Sequence, residues 1–437
     1  MARRHVIVGN GPAGVSAGEA IRSLDPSAEI LIIGEEKAGF YSRPGLAYLL
    51  TGTIPEAHLF SRPDGEYRRH GLQRVVRRVT RLLPLEHRVQ LDDRSTVGYD
   101  RLLLALGARA LRPEVPGIDL EGVVTLDSLD DARRILWLAR RTKAAVVVGG
   151  GITALELAEG LAARGVQTHY FLRKDRYWGN VLDPQESGMV ESRLEEEGIR
   201  LHRHTDLAAV LGRGRRVAGV LTVDGRRLSC GMVAAAIGIQ PRLELARQAG
   251  LAVGRGIWTD EFFQASAPDV FAAGDAAEVL NPATGERVLD SLWSIAIEQG
   301  RVAGANMAGV GQPYKRDIPF NVTRIGGLTT TLIGAVGTGR EDADLVALAR
   351  GDSDAWREEA DAFALQAAGD ISRVRILVGE RRVVGAVIMG DQSLSRPLQH
   401  LIRERVDIRP VRDRLLREPQ ALAAILGSYG RQAHGPQ

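Results

Sequence analysis

The chain has 437 residues, enough for two or three domains, and 44% hydrophobic with 25% charged residues is the balance of a globular protein. A net charge of +3, with no dense Lys/Arg stripe beside stacking aromatics, argues against nucleic-acid binding and permits an acidic partner. One cysteine excludes an internal disulfide framework and a Cys-ligated iron–sulfur cluster within one chain, and no run of about 18–20 apolar residues is present to span a membrane.

The N-terminal MARRHVIVGNGPAG has too short an apolar stretch for an export signal, so a cytoplasmic location is expected. Residues 5–8 read as a short apolar strand. Gly9-x-Gly11-x-x-Gly14 follows, then a helical stretch to about Leu24 and an apolar strand over 30–33. Gly9 permits the tight turn, Gly11 lets backbone approach a pyrophosphate, and Gly14 allows helix to pack closely on sheet. The helix start, with Pro12 and Ala13, offers free N–H groups and a partial positive charge to phosphates. Glu35 or Glu36, after the second strand, can accept hydrogen bonds from an adenosine ribose. Further strands are predicted over 75–79, 89–91 and 99–105, the last ending in the turn Leu106-Gly107-Ala108-Arg109.

The first pattern then repeats. A strand over 144–148 leads into Gly149-Gly150-Gly151-Ile152-Thr153-Ala154, a helix over 153–163 and a strand over 168–172. Two βαβ units imply one nucleotide site in each of two domains. Here no acid follows: Leu172 ends the strand, and Arg173 and Lys174 come next. A positive pair at this point favours a 2′-phosphate, hence NADPH; if both side chains face solvent, NADH remains open. A charged helix over 184–197, with 195–197 as a solvated face, precedes strands over 200–204, 217–223 and 233–236 and a hairpin loop at 212–216. His202 and His204 share a strand face, but no third ligand follows, so no metal site is expected. Cys230, in an apolar stretch, reads as a buried strand residue. The segment 270–273 returns to the first domain and ends in Phe271-Ala-Ala-Gly274-Asp275, where small residues allow close approach and a carboxylate can accept from a hydroxyl. From about Pro313 the composition shifts; strands over 374–378 and 383–389 and a helical C-terminus predict a third, smaller domain.

Over about residues 5–310 these three motifs, in this order, resemble the two-dinucleotide-binding flavoproteins that include the pyridine nucleotide–disulfide oxidoreductases. The resemblance implies an α/β fold: two Rossmann-like dinucleotide-binding domains in the three-layer, glutathione-reductase-like form, plus a smaller α+β C-terminal domain. It implies a discontinuous FAD-binding domain, 1–115 with 246–314, an NAD(P)H-binding domain, 116–245, and a C-terminal interface domain, 315–437. It places FAD on the first glycine motif and the nicotinamide nucleotide on the second, with Asp275 on the ribityl chain. Ala105-Leu106-Gly107 stands where the family has Ala-Thr-Gly, with Arg109 just after it, and Ala236-Ile-Gly238 matches the second crossover turn.

Tyr41-Ser-Arg43-Pro44-Gly-Leu46 carries no cysteine where disulfide reductases have one. This form is similar to rubredoxin reductases, ferredoxin reductases of oxygenase systems and the flavin portion of NAD(P)H nitrite reductase. By that resemblance Arg43 contacts the FAD phosphates, for which its forked donors suit it, and Pro44 packs near the flavin ring. Many relatives pair a Lys after this motif with the helix glutamate; here the position is Tyr48, which leaves Glu156 to bind the nicotinamide amide. Residues 295–299 resemble the segment beside the flavin, with Glu298 as the candidate there. The implied activity is an FAD-dependent NAD(P)H oxidoreductase that passes electrons to a small redox protein such as a rubredoxin or ferredoxin. Two alternatives stay open: an NAD(P)H oxidase or quinone reductase, and a flavin-based redox-sensing subunit. A homodimer is also open.

Overall fold

Parallel strands buried on both faces read as unbroken apolar runs, and the runs at 5–8 and 30–33 behave this way. The computed structural model describes residues 2–62, 64–282, 284–337, 363–368, 372–418 and 424–425. In it Arg4–Val8 is the central strand of a parallel sheet in the order Val270–Ala272, Arg101–Leu104, Arg4–Val8, Glu29–Gly34, Leu72–Val76. Helix Pro12–Leu24 makes the first crossover and packs along helix Trp293–Ala308. Glycines bring the two together: a Cβ at Gly300 would lie 2.1 Å from the Ala13 carbonyl oxygen, and one at Gly304 2.4 Å from that of Ala17. The start of the second helix is thereby held beside the first glycine loop.

A second parallel sheet repeats the plan in the order Arg200–His202, Gln167–Phe171, Ala144–Val148, Met232–Ala235, Val123–Val124. Helix Ile152–Ala163 makes the crossover from Ala144–Val148 to Gln167–Phe171. A third, antiparallel sheet runs Phe320–Ile325, Leu328–Gly334, Val383–Met389, Arg373–Val378, Phe363–Ala368. Alternation along its strands sends Ile325, Leu332, Val387 and Met389 into the core of the second unit. Ile333, Ile376 and Ile388 go the other way, under the helices Ser395–Arg403 and Arg409–Arg417. Buried charge adds to this seam. Arg375 Nε lies 2.9 Å from Glu186, and Arg373 Nη2 lies 2.6 Å from Asp183, itself the N-cap of helix Pro184–Glu196.

Three expectations are corrected. The single strand over 75–79 is two: Leu72–Val76 ends in the parallel sheet, and Val79–Leu83 starts an antiparallel one with Arg88–Leu91 and Thr96–Gly98. The chain changes sheets at Arg77, whose N–H still donates to Gly34. Cys230 is buried but sits just before Met232–Ala235, outside any strand; burial pushes its thiol up to about 11. His204 leaves the strand with φ +51°, so His202 faces His169 instead, ring nitrogen to ring nitrogen at 2.9 Å. Part of the first unit packs into the core of the second. Tyr41, Leu46, Leu49, Leu50 and Leu59 belong to the second core, and Arg164 Nε donates to the Leu50 carbonyl at 2.7 Å. Among the described residues no helix is long and apolar enough to cross a membrane.

Candidate functional site

One cleft of about 620 Å³ runs from the first glycine loop to the helix of the second unit, walled on one side by the antiparallel sheet. Its floor is the first loop. Gly9 holds φ +124°, and a Cβ there would lie 2.0 Å from the Ala105 carbonyl oxygen. Gly11 has nothing within 4 Å of its Cβ position, so a ligand can press on its backbone. Gly14 does not line the cleft; its missing Cβ would strike the Gly9 carbonyl oxygen at 2.0 Å. Helix Pro12–Leu24 has no side-chain cap and no acid in its first turn, which leaves its amides to an anionic ligand.

Pro12, Ala13, Pro44, Ala105, Gly107 and Arg109 also line the cleft. So do Gly274 and Asp275, and Gln299 Oε1 accepts the Gly274 N–H at 2.8 Å. Both carboxylates after the second strand line it as well, in different states. Glu36 accepts from Arg43 Nη2 at 2.9 Å on one oxygen and from the Tyr41 hydroxyl at 2.7 Å on the other. Glu35 is 54% exposed, with Arg242 at 3.7 Å, and is the more accessible acceptor. Burial opposes the charge of Arg43, but Tyr41 and the carboxylates of Glu36, Asp127 and Asp275 outweigh it and hold the guanidinium above its ordinary pKa.

From the second unit Ile152, Thr153 and Glu156 reach the cleft. Gly149, Gly150, Gly151, Ala154 and Gly238 do not line it. Arg173 and Lys174 are exposed past the strand Gln167–Phe171 and lie outside it. Glu298 pairs with Arg301 at 2.6 Å and does not line the cleft, whereas its neighbour Gln299 is buried against Gly274. One residue along a helix turns the side chain by about 100°, enough to move it to another face.

Sequence reasoning missed three features. Trp293 lines the cleft, buttressed by Phe40 with ring centroids 5.7 Å apart. Asn321, Val322 and Thr323 bring the third sheet to the cleft wall. Ser291 lines the cleft with a buried hydroxyl that has no partner among the described residues, just before helix Trp293–Ala308, which also has neither side-chain cap nor first-turn acid. Trp293 and Gln299 lie in or beside the segment singled out at 295–299; nothing local marks Ser291. An open glycine backbone, an uncapped helix start, a forked cation and an orphaned buried hydroxyl fit a dinucleotide with an anionic centre and a polar ring edge.

The model of the pyridine nucleotide-disulphide oxidoreductase family matches residues 3–300. The chain belongs to that family. It is 31% identical over 353 residues to the NADH oxidase of Methanocaldococcus jannaschii, covering 78% of each. To the biphenyl dioxygenase system ferredoxin–NAD(+) reductase component of Paraburkholderia xenovorans it is 32% identical over 332 residues, 75% of this chain and 80% of that one. Its fold matches a ferredoxin reductase from Rhodopseudomonas palustris with TM-score 0.82 at 24% identity, over 93% of this chain and 96% of that one. The expected α/β architecture of two dinucleotide-binding domains is borne out. As a member of this family the chain is an oxidoreductase that uses FAD and a nicotinamide nucleotide.

Proposed function

We propose that this oxidoreductase takes electrons from NADPH or NADH and passes them through FAD to a small one-electron carrier, a rubredoxin, ferredoxin or similar iron–sulfur protein. The observation that carries the reading is the cleft joining the first glycine loop to Glu156, with no cysteine in its lining and Cys230 elsewhere. Bound FAD supplies a ring that accepts a hydride and gives up electrons singly. The balance is one nicotinamide nucleotide oxidised, two carriers reduced and one proton released. The chain's own part is binding and orientation. The amides at Gly11 and the Arg43 fork hold the phosphates, and Glu35 takes the ribose. Asp275 takes the ribityl hydroxyls. Pro44, Phe40 and Trp293 exclude water, while Ile152, Thr153 and Glu156 seat the nicotinamide. Arg173 and Lys174 face solvent at the end of their strand, so NADH stays open beside NADPH, whose 2′-phosphate such a positive pair suits.

The test is anaerobic titration with NADPH and NADH while following the flavin spectrum, then stopped-flow oxidation by iron–sulfur carriers. Bleaching by the nucleotide and faster reoxidation with a carrier are expected; reoxidation that no carrier accelerates would overturn the acceptor. The likeness to an NADH oxidase favours a second reading, direct reduction of dioxygen. Rapid aerobic turnover without any carrier would select it.

A further inference from the structure

Tyr41 has no part in the reading above. Its ring is buried edge-on to Phe60, centroids 6.3 Å apart. Its hydroxyl, however, joins two sides of the cleft. It accepts the N–H of Leu129 at 3.0 Å and donates to Glu36 Oε2 at 2.7 Å, while Glu36 Oε1 accepts from Arg43 at 2.9 Å. Leu129 opens helix Leu129–Ala139, whose start is fixed by a capping box between Ser128 and Asp131. That helix packs in the core of the second nucleotide-binding unit, and Leu126 and Asp127 just before it line the cleft. A chain of hydrogen bonds therefore runs from the second unit through Tyr41 to Glu36, which accepts from Arg43 on its other oxygen.

The direction of the line is set by chemistry. The Leu129 amide is one of those a helix start leaves without an internal partner, and it takes the acceptor side of the phenol oxygen. The single phenolic proton then goes to the carboxylate. Burial raises the Tyr41 pKa, so the hydroxyl keeps that proton. With Glu36 held on one oxygen, the other presents a fixed acceptor to the guanidinium, leaving Arg43's remaining donors aimed by geometry instead of by chance.

We propose that Tyr41 is a positioning residue: it fixes Glu36 so that Arg43 presents its fork to the dinucleotide phosphates, and it ties that geometry to the second nucleotide-binding unit. The inference rests on the cleft holding FAD.

The test is a double-mutant cycle on FAD affinity, using Tyr41→Phe, Glu36→Gln and the pair, with FAD release from the holoproteins as readout. Each single change is expected to weaken FAD about tenfold, the scale of one hydrogen bond to a charged group. If Tyr41 acts through Glu36, the pair weakens it no further than the worse single change. Unchanged FAD affinity in Tyr41→Phe, or costs that add in full, would overturn the inference. Should that variant fail to fold, Glu36→Gln keeps the buried ring and reads the same linkage, and full FAD affinity there would overturn it too. A wild-type protein that takes up no FAD would bring down the functional reading with it; a wild type that binds FAD beside an unaffected Tyr41→Phe brings down only this inference.

Discussion

The two nucleotide-binding units are alike in backbone and unlike in charge. A Cβ at Gly9 would lie 2.0 Å from the Ala105 carbonyl oxygen, and one at Gly149 2.1 Å from that of Ala236. The strand that returns beside each loop is tied in the same way, Ala105 N–H to Val8 at 2.9 Å and Ala236 N–H to Val148 at 2.8 Å. After the second strand the units part: Glu35 and Glu36 line the cleft in the first, while Arg173 and Lys174 stand exposed in the second. The helices differ too. Glu19 and Glu159 each lie five residues past the third position of their glycine motif. Glu19 has Arg62 at 2.8 Å, whereas burial, with Glu197 nearby, pushes the Glu159 carboxyl up to about 7. Backbone shape follows from steric demands common to any dinucleotide; which dinucleotide is held depends on side chains that those demands leave free.

The shared backbone is the easiest part to break. Gly9→Ala and Gly149→Ala should each cost about 3 kcal/mol or more, because a positive φ and a collision with a carbonyl coincide. Gly11→Ala, with open space at its Cβ, should leave unfolding unchanged while weakening FAD binding. Thermal melts of the three variants would test this, and a Gly9→Ala protein as stable as Gly11→Ala would break the parallel.

The charge difference is sharpened by replacing Arg173 and Lys174 together with alanine. If they read a 2′-phosphate, kcat/KM for NADPH should fall about thirtyfold or more, as two charged hydrogen bonds are lost. The value for NADH should hold. Equal loss with both nucleotides, or none, would refute that role.

Glu159 supplies a pH test. A carboxyl whose folded pKa is raised contributes stability that is complete below its unfolded value and lost as pH rises through about 7. His5, buried in the first sheet and held down to about 4 by burial, works in the opposite sense: its contribution is present above the ordinary histidine range and lost as pH falls. Glu159→Gln should therefore gain about 2 kcal/mol on the wild type between pH 5 and pH 8. The difference between two denaturant series isolates it from His5; a constant difference across that range would count against the raised value.

The smallest effect concerns the cleft wall peculiar to the first unit. Ser291→Ala removes a hydroxyl with no partner among the described residues, so folding should be spared. If that hydroxyl donates to the ring edge of FAD, its loss of about 1 kcal/mol lowers the flavin potential by about 20 mV. Spectroelectrochemistry on the two holoproteins would decide, and an unmoved potential would remove Ser291 from the site.

Much of this molecule is legible in its sequence. Glycines at the loop turns and the small-residue stretch before Asp275 answer local requirements of backbone conformation and close approach, and such requirements leave their mark on neighbouring residues. The opposite endings of the two units, acidic and basic, are equally local. So is the lack of a cysteine near Arg43. What stayed hidden depends on how the chain folds back on itself, over a few residues or over many. Glu36 is engaged because Tyr41 and Arg43 fold back onto it, so Glu35 is left the more open; periodicity cannot rank the two. Gln299, not Glu298, meets Gly274 because the phase of one helix against another is set by glycine contacts at Gly300 and Gly304. The split at Arg77, the meeting of His169 with His202, and the arrival of Asn321–Thr323 at the cleft likewise depend on which surfaces pack. Motifs record what a residue's neighbours in the chain demand of it; orientation toward a shared cleft is decided by which surfaces the fold packs together.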